Sequence, residues 1–273
     1  MAMKKFYLFG GCSFTDMPGS WARYLQDNIL SQSKNSKNCA KSGAGNRFIA
    51  TAIIDAALRA AEKGFVPDIS IMWSGPSRFE IPIHENETPY VHDIFQANKI
   101  MGNDFNPGTY FHHDITGDID RSTLNNFWLM QCSKVTDHTR WAHKKNIDKE
   151  YVETFMRFQQ YLWNINAHWH NTLTSILEVQ WLCESKQWPY RFMTFREGLG
   201  EYITTCAPQF RSLQDSINWS KWLFTDNNYG GLREYTLNTV NTWDDGYDNH
   251  PSRDAHELFV NEFLLPKLPG VYQ

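Results

Sequence analysis

The chain has 273 residues, of which 41% are hydrophobic and 21% charged, values typical of one globular domain rather than of a disordered or fibrous protein. Its net charge of −4, without any block of Lys or Arg, argues against nucleic-acid partners, because such binding works mainly by neutralising phosphates. No stretch approaches the roughly 20 apolar residues that cross a bilayer, and the five scattered cysteines contain no Cys-x-x-Cys pair, so we expect no membrane partner, disulfide framework or thiolate zinc site.

The first predicted element is a strand at residues 5–9, an apolar and aromatic run typical of a strand that is buried on both faces. Two lysines precede this run, as in a signal peptide, but its five or so apolar residues are fewer than the roughly 7–15 that a signal peptide needs. We therefore expect a cytoplasmic protein without a signal peptide. Residues 20–30 carry apolar side chains at helical spacing and predict a helix after this strand.

Three further elements are predicted before the chain becomes less regular. Residues 38–40 form a candidate short strand, and the alanine-rich residues 46–63 predict a helix that ends at Gly64. Residues 67–75 predict an apolar strand that is the clearest one after the first. The resulting order of β-α-β-α-β indicates parallel strands that are joined by crossover helices.

The middle of the chain has a different character. Residues 79–111 contain many Pro, Asn, Gly and His, and they predict an irregular insertion over one end of the sheet. Residues 118–188 contain no Gly and no Pro. Within them, apolar side chains between Val152 and Ile176 recur at three, four or seven residues, which predicts at least one long amphipathic helix.

The last third of the chain supplies the remaining elements. Residues 190–195 predict a fourth strand, and residues 222–224 are a candidate fifth strand. A final helix is predicted to begin at Pro251 or Ser252 and to turn its apolar residues inward. His256, on the inner side of this helix, is expected to have a structural role.

These elements predict an α/β protein. We expect a three-layer α/β/α sandwich with a mostly parallel, flavodoxin-like five-stranded sheet and a large helical and irregular insertion. Residues 1–273 are expected to form a single domain, with the insertion at about 79–148 over the end of the sheet that carries the active site.

The residues that can carry chemistry lie in the loops that follow the predicted strands. In an open parallel sheet, ligands bind beyond the carboxyl ends of the strands, where these loops converge. The candidates follow the first, second and third strands or stand near the end of the chain: Ser13; Gly43 and Asn46; Ser77 and Arg78; Asp248 and His250.

The four blocks in this order resemble the SGNH (GDSL-like) hydrolase superfamily. That superfamily has a nucleophilic serine after the first strand, oxyanion donors after the second and third strands, and an Asp/His pair near the end. The resemblance extends from Phe6 to Leu265 at these blocks. The third block, Met-Trp-Ser-Gly-Pro-Ser-Arg-Phe-Glu at residues 72–80, is similar to SGNH-like proteins of tailed bacteriophages and some bacteria, so a virion-associated location is an alternative to the cytoplasm.

The resemblance implies a serine hydrolase that cleaves a small acyl ester, with acetyl as the expected acyl group and a carbohydrate as the expected alcohol. Ser13 corresponds to the nucleophile, His250 to its base and Asp248 to the acid that orients the base. Many family members carry the acid three residues before the histidine, where this chain has Tyr247, so Asp244 and Asp245 are reserve candidates.

The resemblance also implies an oxyanion site that is formed by the backbone N–H groups of Ser13 and Gly43. The family's third donor is usually an asparagine in a Gly-x-Asn-Asp run, which this chain replaces with Gly-Pro-Ser-Arg. Ser77, Arg78 and Asn46 are the candidates for this third donor. The expected partner is a small ester or an acylated carbohydrate, and neither a metal nor a cofactor is expected.

Each of these assignments has a simpler alternative. Ser13 can cap the helix that follows it, Gly43 can be a turn glycine, and Asp248 with His250 can form a turn and cap before the final helix. Two other functions remain open: a catalytically degenerate binding or virion structural protein, and an acyltransferase that uses the same triad. The aromatic content of 15% predicts core rings, with exposed rings in a sugar-binding groove as the alternative.

Overall fold

The computed structural model is an α/β fold that is built on a five-stranded, all-parallel sheet. It describes residues 4–30, 35–41, 44–76, 78–84, 105–109, 126–131, 157, 165–196, 200, 208–239 and 250–268. For the three short strands between residues 79 and 131, this description covers the backbone. Within the described ranges, no helix has both the length and the apolar character that crossing a membrane requires.

The strands of the described residues form two separate sheets. In chain order they are β1 (Lys5–Gly10), β2 (Ser36–Asn38), β3 (Val66–Trp73), β4 (Phe79–His84), β5 (Phe105–Thr109), β6 (Asn126–Gln131), β7 (Tyr190–Thr194) and β8 (Trp222–Leu223). The parallel sheet has the order β2-β1-β3-β7-β8, and β4, β6 and β5 form an antiparallel sheet in that order. Because the strands are parallel and the chain places β2 on one side of β1 and β3 on the other, the loops after the central strands β1 and β3 lie side by side at the carboxyl edge.

Among the described residues, helices connect the parallel strands and follow the last of them. They are α1 (Ser13–Asp16), α2 (Trp21–Tyr24), α3 (Asn46–Glu62), α4 (Ile165–Lys186), α5 (Arg211–Asp215), α6 (Leu232–Thr239), α7 (Arg253–Leu258) and α8 (Leu265–Lys267). Two π-helical segments, Leu25–Ile29 and Phe259–Leu264, continue α2 and α7, and short 3-10 turns occupy Pro208–Phe210 and Trp219–Lys221.

Both faces of the parallel sheet are covered by apolar side chains. Along β1, Phe6 and Leu8 belong to one buried cluster with residues of α3 and α4, while Tyr7 and Phe9 belong to a second cluster with residues of α2 and the C-terminal helices. Successive side chains of a strand point to opposite faces, so a strand covered on both sides needs apolar residues at every position. This explains why β1 has a continuous apolar run in the sequence.

The predicted parallel sheet is confirmed, and its elements lie close to the expected positions. The helix predicted at 46–63 is α3, the strand predicted at 67–75 is β3, and the fourth and fifth strands are β7 and β8. The final helix is α7, and Ser252 caps it by accepting a hydrogen bond from the backbone N–H of Ala255 at 3.2 Å. The long helix predicted between 152 and 176 corresponds, in the residues that the structure describes, to α4, which extends further, to Lys186.

The irregular segment predicted at 79–111 is wrong for its described parts, which are β4 and β5. Residues 126–131, for which no strand was predicted, form β6 between them. The missed signal was the alternation in Phe-Glu-Ile-Pro-Ile-His, which is typical of a strand. Pro82 suggested a loop, but β4 is an edge strand, where proline is tolerated because one side of the strand needs no ladder hydrogen bond. The rest of the insertion predicted at 79–148 lies outside the described residues.

Candidate active site

A tight turn after β1 brings Ser13 to the carboxyl edge of the sheet. A side chain on Gly11 would overlap with the side chain of Thr15 and lie 3.1 Å from the carbonyl oxygen of Met72, so glycine is required by close packing. The N-cap of α1 is Cys12, and Ser13 is the first residue of the helix. The backbone N–H of Ser13 therefore has no acceptor within the helix.

Ser13 and His250 lie side by side although 237 positions separate them in the sequence. The distance between Nε2 of His250 and Oγ of Ser13 is 2.6 Å, which is that of a hydrogen bond. Ser13 is 8% exposed and His250 is partly buried, so the serine is largely shielded from water while the imidazole keeps some access to it. The hydroxyl of Ser13 thus contacts an imidazole, which is the arrangement of a nucleophile with its general base, and the N-cap position belongs to Cys12.

The backbone of α1 is held from two sides through Thr15. The carbonyl oxygen of Thr15 accepts hydrogen bonds from Nδ2 of Asn38, at the end of β2, and from Oγ of Ser20, both at 2.7 Å. The hydroxyl of Thr15 accepts a hydrogen bond from Nε1 of Trp21 at 3.1 Å. Because Thr15 and Trp21 are fully buried, these bonds fix the short helix that begins at Ser13.

The loop after β2 crosses the turn that carries the serine. The backbone N–H of Lys41 donates to the carbonyl oxygen of Gly11 at 3.2 Å, and Ala44 donates to Lys41 at 3.0 Å. Gly43 itself lies outside the described residues, and so do Ser77 of the third block and Asp248. Their roles in oxyanion binding and in orienting His250 stay predictions.

Asn46 makes a set of contacts that the sequence did not reveal. Its Nδ2 donates to the carbonyl oxygen of Ser74 at 3.0 Å and to Oγ1 of Thr172 at 3.1 Å, while its Oδ1 accepts from the backbone N–H of Ser74 at 2.8 Å. All three residues are buried. Both amide hydrogens of Asn46 are thus engaged by protein groups, which favours a structural role that joins α3, the end of β3 and α4 over oxyanion binding.

Replacing Asn46 with alanine is expected to lower the free energy of unfolding by about 2 to 4 kcal/mol, since it leaves the buried N–H and C=O groups of Ser74 without their partner. Chemical denaturation of the two proteins measures this difference. Asn28→Ala is the matched control, because Nδ2 of Asn28 makes an exposed bond to the backbone of Tyr24. Unchanged stability, together with a large loss of the ester hydrolysis that the sequence predicts, would contradict the structural role and restore Asn46 as an oxyanion donor.

The third block is connected to its surroundings by Arg78 and His168. Nη1 of Arg78 donates to the carbonyl oxygen of Ala44 at 3.0 Å and so joins the loops after β2 and β3. Nδ1 of His168, on α4, lies 2.8 Å from the carbonyl oxygen of Pro76. The sequence indicated Arg78 as a candidate but not His168, whose partner is 92 positions away.

Two phenylalanine rings lie next to the imidazole of His250. The ring of Phe14 is 4.7 Å from that of His250 and 5.0 Å from that of Phe195, measured between centroids. Phe195 follows β7, and its ring edge lies 3.7 Å from the position that a Cβ on Gly75 would occupy. Neither ring was indicated by the sequence pattern, although Phe14 is adjacent to Ser13 and Phe195 stands at the carboxyl end of a strand.

His256 lies in the core near His250 and is 4% exposed. Its Nδ1 accepts a hydrogen bond from the backbone N–H of Trp21 at 3.2 Å, so this nitrogen carries no proton. Burial, together with a smaller contribution from the charge of His250, lowers the pKa of His256 to about 3. The imidazole of His256 is therefore neutral near pH 7, and its contacts agree with the structural role that was expected.

Among the residues with described positions, no group of three or more His, Cys, Asp or Glu side chains could hold a metal ion. Comparison of the chain with protein-family models, curated proteins and solved structures finds no match. The chemistry has to be inferred from the geometry of the site. A serine hydroxyl that is hydrogen-bonded to an imidazole, at the first residue of a helix and at the carboxyl edge of a parallel sheet, is equipped for acyl transfer.

Proposed function

We propose that the protein is a serine hydrolase that cleaves a small acyl ester, with acetyl as the preferred acyl group and a carbohydrate as the alcohol. The observation that carries this proposal is the 2.6 Å contact between Oγ of Ser13 and Nε2 of His250. Local chain geometry does not bring together two residues near opposite ends of a chain. Their contact at the edge where parallel sheets bind ligands supports a catalytic rather than a purely structural pair.

The reaction proceeds in two halves. Nε2 of His250 takes the proton of Ser13 while Oγ attacks the acyl carbon, and the resulting imidazolium gives that proton to the departing alcohol oxygen. This leaves an acyl group on Ser13. His250 then takes a proton from water as the water oxygen attacks the acyl carbon, and it returns the proton to Oγ as the carboxylic acid departs.

In this proposal, N–H donors stabilise the negative charge of the tetrahedral intermediate. The backbone N–H of Ser13, at the start of α1, is the first donor, and the N–H of Gly43 is the second. Ser77 or Arg78 completes the set. Each such donor contributes roughly 10²–10³ in rate in related chemistry. Asp248 orients the imidazole of His250 and stabilises its charged form.

The proposal includes the SGNH (GDSL-like) superfamily as the family of this chain. The sheet order β2-β1-β3-β7-β8 supports it, because this order brings the loops after β1, β2 and β3 to one edge. A three-layer α/β/α sandwich, an insertion at 79–148 over the site, and a cytoplasmic or virion-associated location belong to the same proposal.

A fluorophosphonate probe tests the nucleophile directly, because it reacts covalently with an activated serine. The probe is expected to label the protein at Ser13, as located by peptide mass spectrometry, and p-nitrophenyl acetate is expected to be hydrolysed. Ser13→Ala should lose both properties. Ser220→Ala is the matched control, since Ser220 is an exposed serine that bonds Asn218. Equal labelling and turnover in Ser13→Ala would exclude this nucleophile, and an unreactive wild-type protein would favour the degenerate binding module.

A further inference from the structure

Tyr229 is an exposed aromatic residue at the edge of the sheet that carries Ser13. It lies in the loop after β8, and because all five strands are parallel, this loop leaves the sheet at the same edge as the loops after β1 and β3. Tyr229 is 37% exposed, whereas Trp222 at the start of β8 is 6% exposed. The ring is therefore presented to solvent on the side of the molecule where the proposed chemistry takes place.

The backbone of Tyr229 is held in a conformation that a tyrosine rarely adopts. Its φ is +61°, in the left-handed region, which costs a residue with a side chain about 1–2 kcal/mol. A side chain on Gly200 would overlap with Cβ of Tyr229, so Gly200 is required beneath it. Oδ1 of Asp226 accepts hydrogen bonds at 2.8 Å from the backbone N–H groups of Asn228 and Gly230 on either side of Tyr229.

The ring of Tyr229 is supported from below by Phe224. The two ring centroids are 5.2 Å apart and the rings are nearly perpendicular, at 85°. Phe224 in turn stacks on Trp222 with an interplanar angle of 14°. An exposed ring with a fixed orientation loses little conformational entropy when a ligand packs on it.

Packed groups connect this loop to His250. A side chain on Gly231 would overlap with the backbone at the end of β7, and the N–H of Arg233 donates to the carbonyl oxygen of Phe195 at 2.8 Å. The ring of Phe195 packs on Phe14, and Phe14 packs on the imidazole of His250. The loop that carries Tyr229 is thus linked by packed groups to the Ser13–His250 pair at the same edge of the sheet.

We infer that Tyr229 is the platform on which a pyranose ring of the acylated carbohydrate stacks while its ester reaches Ser13; this inference rests on the proposed function. The flat aromatic ring suits the apolar C–H face of a sugar. Asp226, Asn227 and Asn228, all exposed beside it, offer hydrogen-bond acceptors and donors to sugar hydroxyls. The substrate class is a neutral acetylated oligosaccharide rather than a simple ester of a small alcohol.

The test measures binding without turnover, in a Ser13→Ala background. Acetylated xylohexaose and acetylated mannohexaose are titrated into this protein in a calorimeter. Changing Tyr229 to asparagine, which tolerates the left-handed conformation, is expected to weaken the binding of one of them at least tenfold, whereas Tyr229→Trp is expected to stay within about threefold. Trp181→Ala is the matched control. Trp181 is 52% exposed, but it lies near the C-terminal end of α4, which leads into the start of β7 and is therefore on the side away from the carboxyl edge.

The outcomes separate this inference from the proposed function. The stacking role would be overturned by equal dissociation constants for Tyr229→Asn and its parent, or by no binding of either oligosaccharide. In that case, fluorophosphonate labelling of Ser13 in the wild-type protein would still support the hydrolase. A wild-type protein that binds the oligosaccharide through Tyr229 but fails to react with the probe would overturn the hydrolase instead. Matching thermal unfolding of the variants shows that the loop is intact.

Discussion

Replacing His250 with alanine is expected to lower kcat for p-nitrophenyl acetate by about 10³-fold or more, because a positioned base contributes roughly 10²–10⁴ and acts as a unit with its nucleophile. Without Nε2 of His250, the hydroxyl of Ser13 has no group at 2.6 Å to accept its proton. Steady-state kinetics of the purified variant measure the loss. Thermal unfolding of the same sample is expected to stay near the wild-type value.

Imidazole rescue distinguishes a lost base from a distorted site. The deletion leaves a space beside Phe14 that was filled by an aromatic ring of the same size as free imidazole. Added imidazole is therefore expected to restore part of the activity in His250→Ala and none in Ser13→Ala. Full activity in His250→Ala without imidazole would show that the contact between Ser13 and His250 is a structural hydrogen bond, and the proposed mechanism would fail.

The parallel sheet could be predicted because its central elements have strong local patterns. Residues 5–9 and 67–75 are continuous apolar runs, and residues 46–63 repeat small apolar side chains at helical spacing until Gly64. The pairing of Ser13 with His250 could not be predicted in this way, because no local pattern specifies a contact over 237 positions. That pairing could be expected only from the order of the four blocks.

Other features of the site depend on contacts that a single sequence does not encode locally. An asparagine at the start of a helix has the same local pattern whether it binds an oxyanion or, like Asn46, bonds Thr172 from 126 positions away. A tyrosine between asparagine and glycine does not reveal the positive φ of Tyr229, because Gly200 and Asp226 impose it after folding. The contact between Phe195 and Phe14 likewise requires β1, β3 and β7 to be in register.

The buried His256 of the C-terminal helix is expected to lower the stability of the folded protein strongly in acid. The pKa of His256 is about 3 in the folded protein and about 6.5 in an unfolded chain, so between these values only the unfolded state binds the proton. Stability due to this group is therefore fully present above pH 6.5 and is lost as the pH falls towards 3. A shift of this size corresponds to about 4–5 kcal/mol, since one pKa unit is about 1.4 kcal/mol.

His256→Asn should remove this loss, because the amide oxygen of asparagine can replace Nδ1 as acceptor of the Trp21 N–H and does not titrate. The free energy of unfolding is measured with urea at pH 7, 6, 5 and 4. Below pH 6, its slope against pH is expected to be smaller in His256→Asn than in the wild type by about 1.4 kcal/mol per pH unit. Carboxylates titrate in both proteins, so the difference between the two slopes isolates His256. His170→Asn, at an exposed histidine of α4, is the matched control. Parallel slopes for wild type and His256→Asn would mean that the buried imidazole takes up its proton as readily in the folded protein as in the unfolded chain.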